Sequence, residues 1–160
     1  MKTAFVASSL GILGVLNWMI VDKEVLLDSA QSVYLELAPV DPRSLMQGDY
    51  MVLDYAVTRE AQSKANAALK SGQLILRLDA RSVGHFAHID DGSPLADDEV
   101  RVQFTRNHRI HIGAESYFFE EGTGDAFAHA KFAELKVGSG GECVLVGLLD
   151  EDLNLISGEE

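Results

Sequence analysis

From Thr3 to Val21 the chain carries no charged side chain. Wound as an α-helix at about 1.5 Å per residue, this run approximately crosses the hydrocarbon core of a bilayer. Residues 1–23 are therefore expected to form an N-terminal membrane anchor. Residues 24–160 then make one domain of a size that buries a workable core. A cleaved leader is the competing reading, and it would leave a soluble ligand-binding module starting near Asp22. Against it, Leu16-Asn-Trp-Met-Ile-Val21 runs straight into Asp22-Lys23-Glu24 without the small-x-small pattern of a processing site. Gly11, Gly14, Ser8 and Ser9 offer small surfaces for close helix contact, Asn17 a hydrogen-bonding group, and Trp18 a residue suited to the membrane interface.

Charge narrows the partners. Lys2 and the terminal amine lie on one side of the uncharged run, whereas Lys23 on the other is flanked by two acids, which favours a cytoplasmic N-terminus and an external domain. The whole chain has a formal net charge of −12. Such an acidic domain repels phosphate backbones and anionic headgroups, so nucleic-acid binding is not expected. Cys143 is the single cysteine and cannot form an internal disulfide; within an apolar run it reads as a small buried hydrophobe.

Beyond the anchor, strand signals dominate. Val33, Leu35 and Leu37 alternate with polar neighbours, and Pro39 and Pro42 then enforce extended or turn backbone. Residues 50–57 form the next strand candidate, with Met51, Leu53 and Tyr55 on one face and Tyr50, Val52 and Asp54 on the other. A helix is expected over residues 58–69, with Thr58 as N-cap and Gly72 just beyond it. Residues 74–79, 83–89, 100–104, 109–112, 131–137 and 143–149 read as strands. The Asp90–Asp98 loop contains a hairpin-like Asp-Gly, Gly138-Ser-Gly-Gly141 reads as a turn, and residues 124–130 as a short helix with Phe127 facing a core. The expected fold class is mainly β (α+β), with one or two short helices behind the anchor.

Candidate chemistry is sparse. His85 and His88, and likewise His108 and His111, are three apart and would point to opposite faces of a strand, so no zinc set is assigned. The acids Glu120, Glu121 and Asp125 lack calcium-loop spacing. No cofactor, metal or catalytic set is assigned. Ser44-Leu-Met ahead of Gly48-Asp49 superficially resembles elements of the Ser/Lys signal peptidases, which gives an anchored hydrolase built on Ser44 as the alternative function. The spacing departs from theirs, and Lys64 and Lys70 fall on an exposed-looking segment where a general base would have to be desolvated.

The stretch Asp41-Pro-Arg-Ser-Leu-Met-Gln-Gly-Asp-Tyr-Met-Val-Leu-Asp-Tyr55 carries the strongest signal. Its core, Gly48-Asp49-Tyr50-x-x-Leu53-x-Tyr55, resembles the signature after which the bacterial GDYXXLXY family is named. Asp41-Pro-Arg-Ser-Leu, Tyr117-Phe-Phe-Glu-Glu-Gly122 and Val144-Leu-Val-Gly-Leu148 extend the resemblance along the chain. It implies a membrane-anchored protein of unknown biochemical role, often paired with a multi-span membrane protein. The location to expect is the bacterial inner membrane, single-pass, with the C-terminal domain periplasmic. The motif and interaction residues are then Asp41, Arg43, Gly48, Asp49, Tyr50, Leu53 and Tyr55. Gly48 suits positive φ, Asp49 suits bonds to nearby backbone N–H groups, and Tyr50 and Tyr55 suit anchoring of opposite strand faces. Arg43 is placed to pair with Asp41 or Asp49, or to meet an acidic partner. Whether Tyr117-Phe-Phe119 is core or docking patch stays open at this level.

Overall fold

The structure is a computed structural model that describes residues 11–18, 21, 30–38, 50–66, 68–120 and 122–158. The chain divides into two units, Met1–Ala30 and Gln31–Glu160. In the first, residues 11–18 are helical and exposed, and Asn17 donates its side-chain amide to the carbonyl of Leu13 four residues back. Among the described residues no helix is long and apolar enough to cross a membrane. Much of the uncharged run, with Ser8 and Ser9, lies outside them, as do Asp41, Arg43, Ser44, Gly48 and Asp49.

The second unit is β-rich. Its strands are β1 (Gln31–Glu36), β2 (Tyr50–Val52), β3 (Ser71–Leu78), β4 (Gly84–Ile89), β5 (Glu99–Arg106), β6 (Ile110–His111), β7 (Ser116–Phe118), β8 (Phe132–Val137) and β9 (Cys143–Leu149). Its helices are α1 (Ala56–Lys64) and α2 (Gly124–Phe127). They make three sheets with orders β1-β8-β9, β2-β7 and β4-β3-β5-β6, and every strand pair within them is antiparallel.

Period-two alternation drives this layout. In β1, Val33 and Leu35 are buried and sit opposite Leu135 and Ala133 of β8, so one face of the pair is apolar. Leu74 and Leu76 of β3, Val100, Val102 and Phe104 of β5, and Phe86 of β4 supply the facing wall of the same core. Each large side chain fully buried there contributes about 1.5–3 kcal/mol. Backbone bonds join the sheets, and Leu37 bridges to Tyr55 where Ala38 N–H donates to the Asp54 carbonyl at 2.7 Å. Tyr34 of β1 makes a parallel bridge to Val83 beside β4, donating to the Ser82 carbonyl at 3.0 Å. On the other side, the β8–β9 turn meets β5 where Gln103 N–H donates to the Gly141 carbonyl at 2.7 Å. Gly141 sits at φ +87, and a Cβ there would also press on the Gln103 and Arg101 backbone.

Four expectations are corrected. The helix runs over Ala56–Lys64, not 58–69, and Thr58 lies inside its first turn, its hydroxyl donating to the Tyr55 carbonyl at 2.9 Å. Helix growth stops because Ala65 is extended and Asn66 turns its side-chain oxygen onto the Ala68 N–H, a local bond that competes with the helical ladder. The strand expected over 50–57 closes at Val52, and the Asp90–Asp98 segment is no hairpin, since β4 and β5 flank β3 and the segment crosses between them. Its Asp-Gly forms side-chain turns, with Asp90 accepting from Gly92 and Asp91 from Ser93. Finally, His85 and His88 are both exposed. A bulge opposite Ile75 and Leu76 shifts the phase of β4, so residues three apart emerge on one side.

Candidate functional site

The described part of the signature stretch divides by strand geometry. Met51, Leu53 and Tyr55 point inward and are nearly inaccessible, at 3%, 3% and 1%. Leu53 N–H donates to the Glu115 carbonyl at 2.7 Å, which fastens the stretch to the segment entering β7. Tyr55 is the N-cap of α1 in extended backbone, and its phenol crosses the core to the Ala114 carbonyl at 2.5 Å. Burial first, then the Glu115 carboxylate and Cys143, push the Tyr55 hydroxyl well above the ordinary phenol range, so it is held as a neutral donor.

Tyr50 and Val52 face the other way. In the β2–β7 ribbon Tyr50 pairs with Phe118 and Val52 with Ser116. The Tyr50 and Phe118 rings lie 5.7 Å apart, Phe118 is 74% exposed and Val52 is exposed as well. Alternation also settles the Tyr117-Phe-Phe119 question. Tyr117 and Phe119 turn inward to Phe127 of α2, at ring separations of 5.1 and 5.6 Å, and only Phe118 turns outward.

Beside Val52 lies a recess of about 70 Å³ between α1 and the β5–β6 hairpin. Asp54 sits on its wall, with Oδ2 accepting from Arg59 at 3.0 Å and Arg109 at 3.4 Å. Gln62 locks the hairpin to the helix, donating to the His108 carbonyl and accepting from Ile110 N–H. Glu115 closes the floor, its two oxygens accepting from the N–H groups of Ile112 and Gly113. Sequence reasoning passed over Asp54, Arg59 and Arg109 as a group, because the pieces are 50 residues apart. The run Thr105-Arg-Asn-His-Arg-Ile-His111, free of acids in so acidic a chain, was the available signal.

A family model described as GDYXXLXY protein matches residues 12–148. The chain belongs to the GDYXXLXY family. The match takes in the signature strand, the Asp54 recess and almost the whole β-rich unit of this family member. Comparison with curated proteins and with solved structures found no match. Of the seven motif positions expected in this GDYXXLXY chain, Tyr50 lies on the outer ribbon face, while Leu53 and Tyr55 lie in the core. Asp41, Arg43, Gly48 and Asp49 are outside the described residues.

Ser32 Oγ donates to the Glu134 carboxylate at 3.0 Å across the β1–β8 pair, far in sequence from the Ser44 region. Lys64 pairs with Glu60 at 2.6 Å with more than half of its side chain exposed, which is the opposite of a desolvated general base. Cys143 lies partly buried with its thiol directed at the Ile112 carbonyl at 3.3 Å. Burial, then Glu115 and Glu142, push that thiol up to about 12, leaving negligible thiolate at neutral pH. Among the described residues no group of three or more His, Cys, Asp or Glu side chains is arranged to hold a metal ion.

Proposed function

We propose that this GDYXXLXY protein is a single-span, membrane-anchored, non-enzymatic subunit whose periplasmic domain docks on a multi-span membrane partner. The observation that carries this reading is the division of the signature strand. Its inward residues Leu53 and Tyr55 build the core, while on the outer face Val52 and Phe118, the latter packed on half-buried Tyr50, present apolar surface to solvent. An exposed aromatic ring on a two-stranded ribbon suits a protein contact, since aromatic side chains supply large contact area at low conformational-entropy cost. The adjoining recess, at about 70 Å³, is far below the roughly 300 Å³ at which small-molecule sites begin. The uncharged run from Thr3 to Val21 supplies the anchor in this reading, and the small residues Gly11 and Gly14 a surface for a partner helix.

The test is affinity purification of the tagged full-length protein from native membranes in mild detergent, with mass spectrometry of what co-elutes. The expected result is a stoichiometric multi-span protein that is lost with Phe118→Ser. Recovery of the protein alone, trimmed near Asp22, would overturn both the anchor and the subunit role.

A further inference from the structure

Resting on the docking reading, we propose that the recess between α1 and the β5–β6 hairpin receives one carboxylate of the partner, an aspartate or glutamate side chain, with Arg59 and Arg109 as its ligands. Both guanidiniums converge on a single oxygen of Asp54, at 3.0 and 3.4 Å. The other acid of the recess, Glu115, spends its two oxygens on the Ile112 and Gly113 N–H groups, so of the two carboxylates it is Asp54 that meets the guanidiniums. Each guanidinium has five N–H donors, of which Asp54 takes a minority. Arg109 reaches Asp54 with one nitrogen at the longer distance, and its side chain is 65% exposed. The geometry thus holds two planar donor forks together while leaving donors for a second acceptor.

Lys70, Arg106 and His108 line a second recess along the same hairpin of this otherwise acidic protein. Arg106 and Lys70 continue the basic edge past the hairpin, where Arg106 donates to the Asn66 carbonyl at 2.9 Å and its own N–H to the Lys70 carbonyl. The occupant is a single carboxylate and not a bilayer surface. The chain carries −12 overall, so a broad anionic sheet is repelled at the scale of the Debye length, about 8 Å at physiological salt. A lone carboxylate entering the recess meets the guanidiniums at contact distance. Val52 belongs both to this recess and to the outer face that carries Tyr50 and Phe118, so a partner seated on the ribbon places its acidic residue here. The partner surface is therefore apolar with one acid at its edge.

Two measurements on the full-length protein in detergent test this separately from the docking reading. The first follows arginine side-chain N–H resonances during titration with sodium acetate, with sodium chloride at matched ionic strength as the reference. Saturable shifts of Arg59 and Arg109 with acetate alone are expected, weakened about tenfold in Arg109→Gln, the equivalent of about 1.4 kcal/mol, with Arg81 as the unresponsive control. Shifts that track Arg81, or that chloride reproduces, overturn the site; preference for methylphosphonate over acetate overturns the carboxylate in favour of a headgroup. The second measures partner recovery against salt concentration. Arg109→Gln should lower recovery and flatten its salt dependence, and an unchanged salt dependence overturns the partner as the source. Loss of the partner from the wild type as well would sink the docking reading, with the acetate titration still deciding the recess.

Discussion

The hydroxyl of Tyr55 and the carbonyl of Ala114, 59 residues apart in sequence, meet inside the core at 2.5 Å. This bond ties the end of the signature stretch to the turn that leads into β7, and Leu53 N–H to the Glu115 carbonyl repeats the tie one residue on. Tyr55→Phe keeps the ring and orphans the carbonyl, which should cost about 1–3 kcal/mol. Tyr55→Ala should cost about 3–5 kcal/mol, since it also opens a cavity. Urea unfolding of the two variants checks both values, and a neutral Tyr55→Phe would remove the hydroxyl's structural role.

Gly84 of β4 packs against Val33 and Leu35 of β1. A Cβ there would stand 3.0 Å from Leu35 Cδ2 and 3.2 Å from Val33 Cγ1, and both of those side chains are immobilised in the core. Gly84→Ala is therefore expected to destabilise by about 1–3 kcal/mol through overpacking, although alanine is ordinarily better than glycine in a strand. Thermal unfolding decides, and a gain in midpoint would show that the seam is looser than described.

Phe118 and Phe127 differ in what surrounds them, and their variants should separate stability from docking. Phe127 is 4% exposed, so Phe127→Ala should cost about 3–5 kcal/mol. Phe118→Ser should change stability by less than about 0.5 kcal/mol and abolish partner recovery. A large stability loss for Phe118→Ser would place it in the core network and remove it from the interface.

Alkaline pH should weaken the fold through Cys143. The folded thiol is pushed up to about 12 from an ordinary 9.0, so the folded state keeps a proton that the unfolded chain releases. Stability from this group is complete below pH 9 and declines as pH rises toward 12. The Tyr55 phenol adds a loss of the same sign above about pH 10, the ordinary phenol value. Urea midpoints between pH 8 and 11 should fall in the wild type from about pH 9, and in Cys143→Ala only from about pH 10. Parallel curves would mean that the thiol titrates as though exposed.

Where a segment's fate depended on its own alternation, the sequence sufficed. Val33 and Leu35 marked β1, Ala133 and Leu135 marked β8, and Gly138 to Gly141 marked the turn between β8 and β9. The inward and outward faces of residues 50–55 were likewise legible. Where the outcome depended on a competing local bond, the pattern misled: Asn66 ended α1 early, and the bulge in β4 put His85 and His88 on one side. The recess was the least legible, since Asp54, Arg59 and Arg109 become neighbours only when α1 packs on the β5–β6 hairpin. No local pattern encodes that packing.

The antiparallel pairing of β1 with β8 sets the order of events at synthesis. Val33 faces Leu135 across about a hundred residues, and β8 in turn needs β9. A contact of such sequence separation is slow to form, because the long loop must close first. A nascent chain that has not yet delivered Phe132–Val137 leaves Val33 and Leu35 bare on a strand with an open edge, a surface prone to aggregation. The apolar face of β1 thus stays uncovered by its partner strand until residues 132–149 have been made, and a truncation within β8 or β9 forfeits the beginning of the fold along with its end.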